Sequence, residues 1–318
     1  MVDFEENVSL SKFCTIRIGG IAKRLYFPRN VDDVIFLQKK AQDENKRFIP
    51  IGIGSNIIFK DGLRDEIFFS TYYLKGLNII DNNGNVFIEA EAGVSFKQIV
   101  SIVKKFNLEG FENLSGIPAT VGGAVVMNAG AFGSETFDIL EKVFWIDREG
   151  NLIVSDKSQI KYGYRWTQFQ NEGFVYKAVF KLNKSDKNIA EIIKKHLIDR
   201  NRKQPLNLPT GGSTFKNVSL DKNYLKSNSL KESLKIFNFK SNNIEKDLKI
   251  LLPAGYLLDK SGLKGYRIGD VGFSEKHANF TVNYGNGKFS DFERLINTAK
   301  EKVKSNFGIE LKLEMKII

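Results

Sequence analysis

The segment Ser115–Gly133, with the sequence SGIPATVGGAVVMNAGAFG, is the most informative stretch for the fold of this chain. A loop so rich in small residues can turn its backbone N–H groups toward one anion. The double glycine Gly122-Gly123 would let a pyrophosphate lie directly against the main chain. Tight helix packing explains Ala124, Ala129 and Gly130 equally well, but it does not explain the segment Ser-Gly-Ile-Pro-Ala-Thr. We therefore favour an anion-binding loop.

Two shorter motifs could take part in the same site. Ile51–Asn56 (IGIGSN) follows a predicted buried strand, and its Ser55 and Asn56 side chains can donate to a phosphate. The third glycine of a dinucleotide fingerprint is missing, and no Gly-Lys-Ser/Thr loop follows, so this motif alone favours a structural turn. Tyr162–Arg165 (YGYR) presents a guanidinium suited to a carboxylate or phosphate, although a solvated surface arginine is the ordinary interpretation.

A fourth motif, Gly211–Asn217 (GGSTFKN), places a hydroxyl after a glycine turn. With no histidine or lysine base close by in sequence, it does not support a Ser–His–Asp triad. His196 and His277 are the two histidines of the chain, too few for a histidine metal cluster, and we expect no metal. Cys14 is the one cysteine, which excludes an internal disulfide, a zinc ribbon and an iron–sulfur cluster.

Composition places the chain among globular proteins. Its 318 residues are 42% hydrophobic and 27% charged, enough for two or three domains. It contains no apolar run near the ~20 residues of a membrane span, and acidic residues near its start argue against a secretory signal, so we expect a cytoplasmic protein. The net charge of +11 suits binding of nucleic acid or of small phosphorylated ligands. Because the lysines are scattered along the chain, a generally lysine-rich composition explains this charge equally well.

Apolar periodicity and turn residues predict the main elements. Predicted helices are Val31–Gln42 with Asn30 as N-cap, Phe96–Phe106, Ile189–Lys203, Tyr256–Ser261 and Phe289–Phe307. Predicted strands include Phe13–Ile18, Phe48–Ile53, a hairpin of Asn78–Ile80 with Val86–Ala92, Phe174–Leu182, Phe280–Asn283 and a closing strand Ile309–Ile318. Pro205–Gly212 is the predicted domain boundary, and residues 218–250, dense in Lys, Asn and Ser, are predicted to be a surface excursion.

Taken in order, the motifs resemble those of UDP-N-acetylenolpyruvoylglucosamine reductases. The resemblance spans nearly the whole chain, and GSTFKN together with SEKHANF makes it highly specific. The matching segments are TIRIGG (15–20), IGIGSN (51–56), SGIPATVGGAVVMNAGAFG (115–133), YGYR (162–165), GGSTFKN (211–217), AGYLLDKSGLKGYRIGDVGFSEKHANF (254–280) and LEMKII (313–318).

The resemblance implies an α+β fold: a vanillyl-alcohol-oxidase-type two-lobe FAD-binding fold plus a C-terminal α+β substrate-binding domain. The implied domains are residues 1–75 completed by a C-terminal strand at 308–318, residues 76–205, and residues 206–307. The family implies non-covalent FAD, NADPH as co-substrate and a UDP-sugar substrate, with neither nucleic acid nor membrane as a partner. A cytoplasmic monomer is expected.

Residue roles are implied in the same way. Ser213 matches the family's proton donor, Arg165 the arginine of its Tyr-Arg motif, and Glu314 its C-terminal glutamate. Asn217, Lys264 and His277 match substrate-binding motifs. The positions that match flavin-contacting stretches are Gly54, Ser55, Asn56, Ser115, Gly116, Ile117, Pro118, Thr120, Val121, Gly122, Gly123, Asn128, Ala129 and Gly130.

The chain also departs from the family pattern. The interval between Arg165 and Ser213 is too short for the inserted lobe with a substrate-covering tyrosine, which implies the subclass that lacks it. Val218 replaces a usual proline and Lys316 a usual arginine. Two alternatives remain open: an FAD oxidase of the same fold acting on an alcohol or sugar, and a basic nucleotide- or RNA-binding protein without catalysis. The latter predicts a colourless preparation and salt-sensitive binding.

Overall fold

The computed structural model describes residues 2–221 and 249–318. The helices in this part of the chain are α1 Val31–Asp43, α2 Phe96–Phe106, α3 Val121–Met127, α4 Thr136–Ile139, α5 Phe169–Glu172, α6 Ile189–Lys203, α7 Ala254–Lys260 and α8 Phe289–Phe307.

Short strands alternate with these helices along the whole described chain. They are β1 Phe4–Ser9, β2 Ile21–Tyr26, β3 Phe48–Ile51, β4 Ile57–Ile58, β5 Leu63–Arg64, β6 Ile67–Ser70, β7 Leu77–Asn82, β8 Asn85–Glu91, β9 Leu108–Glu109, β10 Gly130–Ala131, β11 Ser134–Glu135, β12 Leu140–Asp147, β13 Leu152–Asp156, β14 Tyr162–Gly163, β15 Trp166–Thr167, β16 Gly173–Lys184, β17 Thr210–Ser213, β18 Val218–Asp221, β19 Lys249–Leu252, β20 Arg267–Ile268, β21 Val271–Phe273, β22 Phe280–Asn283 and β23 Lys316–Ile317.

The chain forms two compact units. The first consists of Met1–Phe13, Gly20–Ser55 and Gly62–Arg202, and the second of Cys14–Gly19, Asn56–Asp61 and Lys203–Ile318. Residues 1–75 and 76–205, predicted as separate lobes, thus contribute mainly to one unit. The division of the chain into three domains stays a prediction.

The first unit contains two larger sheets and two two-stranded ones, β10-β11 and β14-β15. One has the order β1-β2-β6-β3, in which β6 is parallel to both β2 and β3. The other has the antiparallel order β13-β12-β16-β8-β7. Phe69 and Phe174, whose ring centroids are 5.2 Å apart, join strands of the two sheets in one apolar cluster. A second core packs α2 and α3 on the antiparallel sheet and fixes the start of α3, where the glycine-rich loop ends.

Local signals explain the helices and the hairpin of this unit. As predicted, Asn30 caps α1 by accepting from Asp33 N. Ser95 forms a capping box at the start of α2. The β7–β8 hairpin is confirmed. Asn83 and Gly84 form its two-residue turn with φ of 50° and 90°, the left-handed pair that such hairpins require.

The second unit is built on the antiparallel sheet β17-β22-β21-β20, covered by α8. β23 pairs in parallel with β4, and Leu313 bridges to Phe215, so the C-terminal segment lies beside the segment that contains Ser213. β18 and β19 pair as antiparallel strands at the two ends of the predicted surface excursion. The middle of that excursion, residues 222–248, lies outside the described residues.

One strand prediction is wrong, and another is right in place but too long. Phe13–Ile18 is not a strand: Leu10–Phe13 is a 3-10 turn, and Arg17 has a φ of 57°. Asn283 Nδ2 donates to Ile16 O at 3.1 Å and to Arg17 O at 3.2 Å, so a side chain supplies the partner that a neighbouring strand would have given. The closing strand is limited to Lys316–Ile317 within the predicted range Ile309–Ile318.

Candidate active site

The glycine-rich loop ends at Thr120, which caps α3. The Thr120 hydroxyl accepts from Gly123 N at 3.4 Å, and a Cβ added to Gly52 would collide with the Thr120 side chain. The turn at residues 51–56 therefore lies against the start of α3, so the structure brings the two predicted phosphate-contacting turns of the first unit together. Gly54 has a φ of 74°, a conformation that only glycine adopts at little cost.

The predicted cofactor positions differ in accessibility. The exposed or half-buried ones can meet a ligand, whereas the buried ones support the loop from behind. Accessible positions are Ser55, Asn56, Ser115, Gly116, Ile117, Pro118, Gly123, Ala129 and Gly130; buried positions are Gly54, Thr120, Val121, Gly122 and Asn128.

Gly122 and Gly123 have different roles. Gly122 N donates to Ala92 O at 3.0 Å, and a Cβ on Gly122 would lie 2.9 Å from Ala92 Cβ. The Gly122 N–H is therefore occupied and the residue faces the sheet, and its contact with a cofactor stays a prediction. Gly123 is exposed, and a Cβ there would meet Thr120 Oγ1 at an ordinary 3.5 Å. Gly123 is therefore the exposed glycine of the pair, and its N–H donates to Thr120 Oγ1.

Asn128 lies at the left-handed C-cap of α3 and is fully buried. Its Nδ2 donates to Glu135 Oε2 at 2.7 Å and to Gly163 O at 3.1 Å, while its Oδ1 accepts from Phe137 N. These bonds tie the end of α3 to the Tyr162–Thr167 hairpin. The Asn128 side chain is therefore occupied in positioning the site, and the contact of Asn128 with flavin stays a prediction.

Arg165 occupies the two-residue turn of that hairpin, with a φ of 53°. An arginine in the left-handed region costs on the order of 1 kcal/mol and persists where the surroundings hold it. Arg165 Nη2 donates to Gly130 O at 2.7 Å, and Nη1 lies 3.9 Å from Glu135 Oε1. Glu135 thus contacts both Arg165 and Asn128. Sequence analysis missed Glu135, since nothing in its local pattern distinguishes it from a surface acid.

In the second unit, a β-bulge positions Ser213. Thr210 lies opposite Val282 and Ser213 opposite Phe280, so β17 has one extra residue there. Gly212 accommodates the bulge with a φ of 78°. Such an extra residue redirects the side chain that follows it. Beyond the bulge, the Thr214 and Thr281 hydroxyls are 2.7 Å apart, which anchors the segment just after the serine.

Glu314 lies on the segment next to Ser213. Its N donates to Thr214 O at 2.9 Å, although a hundred residues separate the two in sequence. Asn56 Nδ2 donates to Glu314 O at 3.1 Å, and Lys316 N donates to Asn56 O. Asn56, predicted as a cofactor residue, thus holds the backbone of the segment that contains Glu314. Partial burial and the charge of Lys216 lower the pKa of Lys316.

Two of the three predicted substrate-binding residues, Asn217 and His277, lie against the start of α7. Asn217 Oδ1 accepts from Ala254 N at 3.1 Å at the start of that helix. A Cβ on Gly255 would lie 3.1 Å from His277 Cε1, so His277 packs on the same turn. Burial, and then the positive charge of Lys264, lower the pKa of His277, which keeps the imidazole neutral at neutral pH.

Comparison with known proteins decides the family. The model for the C-terminal domain of UDP-N-acetylenolpyruvoylglucosamine reductase matches residues 204–318, and an FAD-binding domain model matches residues 22–156. A UDP-N-acetylenolpyruvoylglucosamine reductase of Aquifex aeolicus is 39% identical, over 99% of this chain and 95% of that protein. The chain belongs to the UDP-N-acetylenolpyruvoylglucosamine reductase family. A relative of the same name from Clostridium tetani is 31% identical, over 98% of this chain and 91% of that protein.

A solved structure confirms the predicted fold class. The UDP-N-acetylenolpyruvylglucosamine reductase of Thermus caldophilus superposes with a TM-score of 0.72 at 26% identity, covering 100% of this chain and 98% of that one. The fold is α+β, with a region that matches an FAD-binding domain followed by the C-terminal domain of this reductase family. Within the described residues, no helix is both long and apolar enough to cross a membrane.

The first unit fits an FAD of this reductase family. Ser115 Oγ is buried without a hydrogen-bond partner in the described chain, and the exposed backbone at Gly123 allows close approach. A buried hydroxyl without a partner is costly in an empty loop and suits a phosphate that accepts a hydrogen bond.

Proposed function

We propose that this protein reduces UDP-N-acetylglucosamine enolpyruvate to UDP-N-acetylmuramate, a precursor of peptidoglycan, with NADPH as the reductant and non-covalent FAD as the cofactor. The glycine-rich loop would hold FAD, which would supply the hydride chemistry that links NADPH to the terminal vinyl carbon of the substrate. Side chains of the protein perform the other steps: they orient the enolpyruvyl group, stabilise its developing enolate and supply one proton. We expect a cytoplasmic monomer.

Three side chains carry the proposed chemistry. Ser213 donates the proton to the vinyl carbon next to the carboxylate. Arg165 and Glu314 stabilise charge that develops at that carboxylate, Glu314 most effectively as a neutral acid that can donate a hydrogen bond. Arg165 is suited to this role because Gly130 O and Glu135 fix its guanidinium.

Binding of the UDP portion is proposed for Asn217, Lys264 and His277. Asn217 Oδ1 is occupied by Ala254 N, so its Nδ2 is the group that can donate to a phosphate or sugar oxygen. Lys264 is exposed and supplies positive charge. The neutral His277 can donate or accept without adding a second charge beside Lys264.

One observation carries the proposal: Glu314 and the Ser213–Thr214 segment are adjacent through the bond from Glu314 N to Thr214 O at 2.9 Å. The two matching catalytic motifs are far apart in sequence, and packing of the C-terminal segment on β17 makes them neighbours. This bond brings the backbone of Glu314 next to the residue that follows Ser213.

The test is the visible spectrum of the purified protein under anaerobic conditions. We expect a yellow protein whose flavin absorbance is bleached by NADPH and restored by UDP-N-acetylglucosamine enolpyruvate. UDP-N-acetylglucosamine, which lacks the enolpyruvyl group, is the matched control and should leave the reduced spectrum unchanged. A colourless preparation that takes up no FAD would contradict the proposal. Reoxidation by oxygen together with turnover of a sugar alcohol would indicate an oxidase instead.

A further inference from the structure

Arg200, on α6, is a half-buried arginine without an anionic partner in the described chain. Its stem crosses the glycine-rich loop: a Cβ on Gly116 would lie 2.9 Å from Arg200 Cδ and 3.4 Å from Nη1. Burial lowers the pKa of Arg200, and no carboxylate of the described residues opposes that effect. A guanidinium remains charged under these conditions, so its desolvation is uncompensated in the protein alone.

Two further hydrogen-bond donors beside Arg200 are also unused. Ser115 Oγ is buried without a partner, and Gly116 N–H has no acceptor among the residues that the structure describes. The neighbouring amides are occupied, since Ser115 N donates to Glu112 O and Ile117 N to Leu114 O. Buried donors without a partner are rare in native proteins, and the buried Ser115 Oγ beside an unused amide and an unpaired cation indicates an anion.

Packing of α6 keeps Arg200 at the loop. His196, one helical turn earlier on the same face, has Nδ1 3.2 Å from Glu112 O, and its ring stacks on Phe132 with centroids 4.5 Å apart. By contrast, Arg202 on the same helix is exposed and pairs with Asp199 at 2.9 Å. α6 therefore holds one arginine against the loop and another in solvent.

We propose that Arg200, Ser115 Oγ and Gly116 N–H together bind the pyrophosphate of FAD, with Arg200 as its counter-charge. The chemistry is that of a nucleotide diphosphate, and we assign it to FAD because these residues belong to the same unit as most of the matched FAD-binding region. The assignment to FAD rests on the proposed function. Backbone N–H groups alone carry no net charge, whereas a guanidinium forms paired, charge-assisted bonds with phosphate oxygens.

The test is reconstitution of flavin-free protein with FAD, followed by flavin fluorescence, in Arg200→Met, Arg200→Lys and the control Arg202→Met. Methionine keeps an apolar stem over Gly116 and removes the charge. We expect Arg200→Met to raise the Kd for FAD by about 10- to 100-fold, as for loss of a charged hydrogen bond. Arg200→Lys should recover part of that loss, and Arg202→Met should bind as the wild type does. The melting temperature of each flavin-free variant should match that of the wild type.

Several outcomes would overturn the proposal. A wild-type Kd in Arg200→Met would remove Arg200 from the site. An equal loss of FAD affinity in Arg200→Met and Arg200→Lys, together with a lower melting temperature, would show that Arg200 is a packing residue. Unchanged FAD binding with weakened binding of UDP by the holoenzyme would assign the site to the substrate diphosphate. If wild-type protein takes up no FAD, the proposed function fails on its own. Titration with inorganic pyrophosphate then tests the anion site. Affinities for pyrophosphate that rank the variants as expected for FAD support the site, and equal affinities refute it.

Discussion

Ser213 is the residue whose role can be tested most directly, because its proton is needed in one half-reaction. Flavin reduction by NADPH requires no proton from Ser213, so Ser213→Ala should keep that rate within a small factor. Reoxidation by the enolpyruvyl substrate should slow by about 10²–10⁴-fold, the usual contribution of a general acid. Stopped-flow absorbance measures both steps separately.

Two variants serve as controls for Ser213. Ser213→Cys retains an ionisable hydrogen and should recover part of the reoxidation rate. Ser219→Ala removes an exposed hydroxyl from the same unit and should leave both steps unchanged. If both half-reactions fall together in Ser213→Ala, or neither does, Ser213 is not the specific proton donor. A loss of stability of about 1 kcal/mol with full activity would instead indicate a structural hydroxyl.

His277 and Lys264 are predicted to be electrostatically coupled. The pKa of His277 is lowered by burial and by the charge of Lys264, so Lys264→Met should raise it while leaving it below the ordinary value near 6.5. Because the folded pKa lies below the unfolded one, His277 reduces the free energy of unfolding as pH falls below about 6.5. The chain has two histidines, so NMR titration with His277→Gln as the assignment control resolves the signal. An unchanged pKa in Lys264→Met would refute the coupling.

At the scale of elements, the two glycines at the start of α3 have different roles: Gly122 packs against the sheet, whereas Gly123 is exposed to a ligand. Gly122→Ala places a methyl group 2.9 Å from Ala92 Cβ, and overpacking of this kind costs about 1–3 kcal/mol. Gly123→Ala meets only ordinary contacts and favours the helix, so the flavin-free protein should be at least as stable as the wild type. Its Kd for FAD should nevertheless rise, because the methyl group occupies the exposed backbone where we expect the cofactor.

Urea unfolding of the flavin-free proteins and FAD titration distinguish the two effects. The double variant Gly122→Ala, Ala92→Gly removes the colliding Cβ and should regain part of the lost stability. Wild-type affinity for FAD in Gly123→Ala would show that the cofactor does not approach α3 there. Unchanged stability in Gly122→Ala would show that α3 can shift away from Ala92.

For the whole molecule, cofactor binding should appear as stability. A ligand that binds only the folded state stabilises it by about 2.7 kcal/mol at a hundred times its Kd. Both tryptophans, Trp145 and Trp166, lie in the first unit, so their fluorescence reports on the part that we expect to hold most of the FAD. Removal of FAD should lower the unfolding midpoint followed by tryptophan fluorescence, and FAD, but not riboflavin at the same concentration, should restore it. An identical midpoint with and without FAD would contradict the assignment.

The sequence determined the elements whose signals are local. Val31–Asp43, Phe96–Phe106, Ile189–Lys203 and Phe289–Phe307 are helices because apolar periodicity and, for the first two, capping residues act within a few residues of each other. The Asn83-Gly84 turn required no distant partner. The order of the motifs also indicated the reductase family, because the matching segments follow one another along the chain as they do in that family.

Tertiary structure alone decided which backbone and side-chain groups are occupied. Phe13–Ile18 has the residues of a strand, but Asn283 takes its carbonyl groups. Asn128 resembles a ligand-binding asparagine, but burial and three hydrogen bonds make it a support for Arg165. In sequence Arg200 resembles any helical arginine, and only the fold packs its side chain on Gly116. Periodicity encodes faces and turns, whereas hydrogen-bond partners from distant parts of the chain depend on how those faces pack.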